Sequence, residues 1–176
     1  MSNYYAQAVS REDMRQLAYL IRKKFGYLDI WSIPVELLLD KMCVEFEDFS
    51  YEIIPDDEWD NPSAHADTDV LSGTIRIRES VYLRACNGLG RDRMTIAHEI
   101  AHFILICLTD VKLYRSSGKP VPSYQDPEWQ AKCLAGELMV PYHKLIKLKN
   151  PTAAIIEIFC GVSSDAANYQ LKYLRR

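Results

Sequence analysis

The run Met94-Thr-Ile-Ala-His-Glu-Ile-Ala-His-Phe-Ile-Leu105 constrains this chain more than any other stretch. It places His98 and His102 four residues apart in apolar surroundings. On a helix, positions i and i+4 lie one turn apart on the same face, so both imidazoles can present a nitrogen to one cation. Glu99 follows roughly 100° further round, close enough to reach a water beside that cation without being a ligand. The helix is apolar nearly all round, through Ile96, Ala97, Ile100, Ala101, Phe103, Ile104 and Leu105, and must be largely buried. Burying two histidines and a glutamate without partners would cost several kcal/mol in desolvation. A bound metal removes that cost.

A catalytic zinc site needs three protein ligands and one open position. One common extension of the His-Glu-x-x-His motif fails here, because Leu105 stands where it has glycine and Leu108 where it has a third histidine. The third ligand is therefore sought on another helix. Asp126-Pro127-Glu128 is a strong helix start, with Asp as cap and Pro at the first helical position. The helix it opens is predicted over 127–140, stopping before Pro141, and carries both Glu128 and Glu137. With Glu128 at 0°, the apolar cluster Ala131, Leu134, Ala135, Leu138 and Met139 spans roughly 240° to 20°, and Glu137 stands at about 180° beside Gln130. Glu128 borders the buried stripe, whereas Glu137 is expected to point away. The predicted site is His98, His102 and Glu128 as ligands of Zn2+, with Glu99 as the catalytic base.

The rest of the chain is read more coarsely. A capped helix is predicted from Ser10 to Gly26 and a second from Ser32-Ile33-Pro34 onward. Alternation over 43–54 suggests one or two strands, 55–69 an exposed acidic loop, and 70–78 a further strand with Ile75 and Ile77 on its dry face. A short helix at 80–86 leads to the motif helix, predicted from Arg91 to Leu108. The polar segment 109–126 is expected to be a surface loop, and two helices over 151–160 and 164–174 close the chain. The expected architecture is α+β: a small, mainly antiparallel sheet in the first half, packed on the motif helix and a helix-rich C-terminal part.

At 176 residues and net charge -3, the chain suits one domain over residues 1–176 with no general attraction to nucleic acid or anionic membrane. Five scattered cysteines without a CxxC pair, and an N-terminal run without an apolar signal core, point to reduced thiols and a cytoplasmic location. No apolar stretch is long enough to span a bilayer.

"RMTIAHEIAHFIL" followed by "EWQAKCLAGELMVP" resembles the ImmA/IrrE metallopeptidases. The matching positions are Arg93, Thr95, His98, Glu99 and His102, then Glu128, Ala131, Ala135, Leu138 and Pro141. The strand "GTIRI" and the C-terminal "FCGVSSDAANYQLKYL" are similar as well, so the likeness covers roughly residues 70–175. Lys132 and Ile106 depart from the family, which often has Asn and His there; neither position belongs to the predicted site. The resemblance implies an intracellular endopeptidase of narrow specificity, with the two histidines and Glu128 on zinc and Glu99 as base. It also implies a protein substrate: a helix-turn-helix transcriptional repressor encoded nearby, on a phage, mobile element or stress-response locus.

A competing reading rests on the C-terminal "TAAIIEIFCGVSSDAANYQLKYLRR", whose two helices and Gly161-Val162-Ser163 turn resemble a DNA-binding helix-turn-helix. Basic residues are sparse there, and in the resembled family this segment belongs to the folded domain, often with Arg at the position of Gln170. A structural hairpin over 151–175 is the expectation. A zinc-bearing interaction protein without catalysis is a third reading. Tyr114 and Tyr124 could supply a hydroxyl donor to the tetrahedral intermediate and His65 could stabilise an oxyanion, with nothing in the sequence to choose among them. His65 is otherwise expected as an exposed loop residue and His143 on a helix surface.

Overall fold

The computed structural model describes residues 4–108, 114–115 and 121–174. The chain runs through β1 (Tyr4–Tyr5), α1 (Arg11–Lys24), α2 (Val35–Glu45), β2 (Ser50–Ile54), β3 (Ala66–Asp69), β4 (Thr74–Arg78) and α3 (Glu79–Cys86). It continues with α4 (Gly90–Phe103), a π-helical turn (Ile104–Leu108), β5 (Tyr114–Arg115), a 3-10 turn (Ser123–Gln125) and α5 (Pro127–Met139). α6 (Tyr142–Leu145), α7 (Ala153–Cys160) and α8 (Ser164–Leu174) follow. Among the described residues, no helix is long and apolar enough to cross a membrane.

Local chemistry starts several of these elements. The Ser10 hydroxyl accepts from the Asp13 amide (3.1 Å) and the Asp13 carboxylate accepts from the Ser10 amide (2.8 Å), a complete capping box at α1. The Asp126 carboxylate accepts from the Glu128 amide at 3.1 Å and opens α5 just before Pro127. Thr152 caps α7 through the Ile155 amide.

The architecture is α+β, as expected. In the larger sheet the order is β2-β4-β3, with β2 parallel to β4 and β3 antiparallel to it, so the sheet is mixed. Ile75 and Ile77 are fully buried beneath it, while Arg76 and Arg78 turn outward to Asp67 and Asp56. Two expectations are corrected. Residues 43–45 continue α2, because Val35, Leu38, Leu39 and Met42 form one buried helical face and the brief alternation after Met42 fits either period. Residues 66–69, expected within an exposed loop, form the edge strand β3. Its pairing to β4 and the Arg76–Asp67 ion pair (2.8 Å) override a composition poor in strand formers. Much of 109–126, the expected surface loop, lies outside the described residues. Its described parts include β5, which pairs with β1, and the turn leading to α5.

α5 is the central helix, buried continuously from Gln130 to Met139 except at Lys132, with α4 packed on one side and α1 on the other. The α1 side carries an ionic network. Arg11 Nη1 donates to Glu137 Oε1 (2.7 Å) and Arg15 Nε to Glu137 Oε2 (3.2 Å). Arg22, 1% exposed, donates to the backbone carbonyls of Leu138 and Ile30, and burial pushes its guanidinium down to about 10.

Gly73 closes the turn into β4 with φ 70°, and a Cβ there would overlap the backbone carbonyl of Asp48. Gly88 has φ 85° but open space around it. Gly88→Ala should therefore cost about 1 kcal/mol and Gly73→Ala at least about twice that. Thermal unfolding checks this: the Gly73 variant should lose at least about twice as many degrees.

Candidate metal centre

His98 and His102 project from one face of α4 and Glu128 from the first turn of α5, and the helix pair brings them together. His98 Nε2 and His102 Nε2 are 3.0 Å apart, His98 Nε2 and Glu128 Oε2 3.3 Å, and His102 Nε2 and Glu128 Oε1 3.4 Å. One ligand atom from each residue falls within 4.8 Å of the others. Donors at about 2.0–2.1 Å from a tetrahedral ion stand about 3.3–3.4 Å apart, so this set fits a zinc-sized cation. Two imidazoles and one carboxylate are also the nitrogen and oxygen donors that such an ion prefers.

Electrostatics divides the two glutamates. Hydrogen bonds to His102 and His98 hold the Glu128 carboxyl well below its usual range, so it is an anion facing the imidazoles. Burial pushes the Glu99 carboxyl upward, against the hydrogen bond from Thr68. Glu99 is 8% exposed, and its Oε2 accepts from the Thr68 hydroxyl at 2.7 Å. It sits outside the three-donor cluster, next to it along α4. A buried carboxylate of raised proton affinity, fixed by one neutral donor, is suited to taking and returning a proton.

Glu128 does stand beside the two histidines, but the expectation that Glu137 points away from the core is corrected. Glu128 is the more exposed carboxylate, with 55% of its side chain accessible, whereas Glu137 is 3% exposed. α5 has no outward face at Glu137, because α1 covers it and supplies Arg11 and Arg15. Thr68 was missed altogether. It lies in the stretch expected to be a loop, and nothing in its local sequence distinguishes it; only the pairing of β3 onto β4 carries it to α4.

The remaining candidates fall elsewhere. His65 is exposed, and His143 Nε2 lies 3.2 Å from the Leu28 carbonyl with its ring edge against Tyr19. Tyr124 is half exposed in the 3-10 turn, where its carbonyl accepts from Gln130. The Tyr114 side chain lies outside the described residues. Arg93 is structural: its Nη2 donates to Ser32 Oγ and to the Ile33 carbonyl, both at 2.7 Å. The α7–α8 turn is packed onto the start of α4, so closely that a Cβ on Gly90 would overlap the backbone of Val162. On α8, Ala167 and Gln170 are buried, and Gln170 Oε1 accepts from Arg11 at 3.2 Å.

An α+β chain that holds two histidines of one helix and a glutamate of the next around a cation-sized space has the layout of a metal-binding domain. Residues 53–172 match the family model for the IrrE N-terminal-like domain, Peptidase M78, and the chain belongs to this ImmA/IrrE family of metallopeptidase-type domains. No curated protein sequence matches the chain significantly. Among solved structures it is similar in fold to a Mycobacterium tuberculosis transcriptional regulator, with a TM-score of 0.61 at 13% identity. That similarity covers 94% of this chain and 48% of the regulator, so the chain spans about half the length of that protein.

The site predicts a clean separation of the two glutamates. Purified protein should carry about one zinc per chain. Glu128→Ala should lose the metal with its fold intact, since the carboxylate is half exposed. Glu137→Ala should keep zinc but lose about 1–3 kcal/mol of stability, because Arg11 and Arg15 lose their shared carboxylate while keeping Gln170, Tyr169 and the Tyr173 carbonyl. Metal analysis and thermal unfolding of both variants check this.

Proposed function

We propose that this chain is a zinc-dependent endopeptidase that cuts one peptide bond in a specific protein. The observation that carries this reading is the division of labour at the site: three converging donors, and beside them a buried glutamate that is not one of them. When bound, zinc would supply Lewis acidity, polarising a carbonyl and bringing the pKa of a bound water to about 7. His98, His102 and Glu128 would hold it. Glu99 takes the proton of the attacking water and delivers it to the departing amine nitrogen as the C–N bond breaks. Burial raises the proton affinity of Glu99, and Thr68 keeps its carboxylate turned in one direction.

The proposed substrate is a helix-turn-helix transcriptional repressor encoded near this chain, cleaved in the cytoplasm. Family membership supports a protein substrate, and the similarity in fold to a transcriptional regulator is consistent with a regulatory setting. DNA reading by α8 is the weaker alternative. The Gly161–Ser163 turn packs on α4, and α8 spends its Ala167–Gln170 face inside the domain.

Glu99→Gln should retain zinc and lower cleavage of the neighbouring repressor by about 10²–10⁴-fold. Retained metal with an undiminished rate would make Glu99 structural. Thr68→Val should lower kcat by about tenfold at unchanged KM, and Thr68→Ser should recover most of it; each tenfold is about 1.4 kcal/mol of barrier. Tight, salt-sensitive binding of the metal-free protein to a specific operator would favour DNA reading instead.

A further inference from the structure

A cleft of about 620 Å3 opens beside His98, between α4, α5 and α8. Its walls are mainly apolar: Met94 from α4, Trp129 and Ala135 from α5, Ala166 from α8. Arg91, Lys132 and Asp165 stand at its edges. Polar features inside it are few. Thr95 bonds back to the Arg91 carbonyl (3.2 Å), and Gln170, 5% exposed, has an amide nitrogen with no acceptor among the described residues. That amide rests on Gly136, where any Cβ would overlap it. An apolar hollow that shares a wall with a metal ligand has the composition of a ligand pocket.

We infer that this cleft receives a large apolar or aromatic side chain of the substrate, from the residue flanking the bond to be cut. This assignment rests on the peptidase reading of the metal centre. His98 is both a metal donor and part of the cleft wall, so a residue seated there lies next to the reacting bond. The size is sufficient for an aromatic ring with its flanking backbone, and Trp129 and Tyr169 line it with aromatic rings. α8, the helix that could be taken for a DNA reader, thereby becomes the wall that selects the substrate. Ala166 sets the width, and Tyr169, held by Arg11 Nη2 at 3.0 Å, closes one side.

The test uses metal-free and zinc-loaded full chain, titrated with N-acetyl-phenylalanine amide and N-acetyl-alanine amide by proton–nitrogen NMR. The phenylalanine compound should shift the Trp129 indole, Ala135 and Ala166 signals with or without zinc, and the alanine compound should not. Ala166→Trp should abolish those shifts while zinc content stays at the wild-type level. Tyr169→Ala guards against misfolding of that variant, and should keep the shifts while admitting bulkier probes. Scattered shifts, equal response to both compounds, or full binding by folded Ala166→Trp would overturn the assignment. In cleavage of the repressor, changing the large apolar residue at the cut to Ala should raise KM at least tenfold in the wild type and far less in Ala166→Trp. Probe binding without any cleavage leaves the cleft in place and removes the peptidase reading; cleavage indifferent to that residue does the reverse.

Discussion

The packing of α4 against α5 is the constraint on which the rest depends. α4 and α5 pack closely on one another, and both carry small buried residues, Ala97 and Ala101 on one and Ala131 and Ala135 on the other. At that spacing the first turn of α5 meets the turn of α4 that carries both histidines, and three donor atoms converge. The site is therefore built by two rigid helices, not by loops, and its geometry is set by the core.

The opposite side of α5 shows what holds that helix in place. Glu137 and the α1 arginines form a buried ion network, and Arg22 ties α1 to the last turn of α5 through the Leu138 carbonyl. Buried ions of this kind contribute little net stability, because desolvation offsets most of the attraction. They do fix register: a slip of α5 along α1 would leave the buried Glu137 without its two arginines, so α5 is held where Glu128 can reach the histidines. Arg93 does the same for α4 by binding Ser32 and Ile33.

The centre of the site was legible because helical periodicity is local. His98, Glu99 and His102 are placed by four consecutive peptide spacings, and Glu128 by a cap and a proline that announce where α5 starts. The terminal helices were legible for the same reason, through the Gly161-Val162-Ser163 turn between them. What escaped is non-local. Glu137 was expected to face outward because the sequence of α5 does not show that a second helix covers it. Thr68 was hidden because β3 is a strand only by virtue of β4. The parallel pairing of β2 to β4 depends on the crossover between them, which a strand's own alternation does not encode. The cleft beside His98 needed three helices at once, and no one of them carries its pattern.

Anomalous X-ray diffraction at the zinc edge, on crystals of protein purified without added chelator, tests the central claim most directly. The account predicts one strong peak per chain, about 2.0–2.1 Å from His98 Nε2, from His102 Nε2 and from a Glu128 carboxylate oxygen, with Glu99 outside bonding distance. A peak coordinated by Glu99 in place of Glu128, or a metal bound elsewhere with the histidine pair empty, would contradict it.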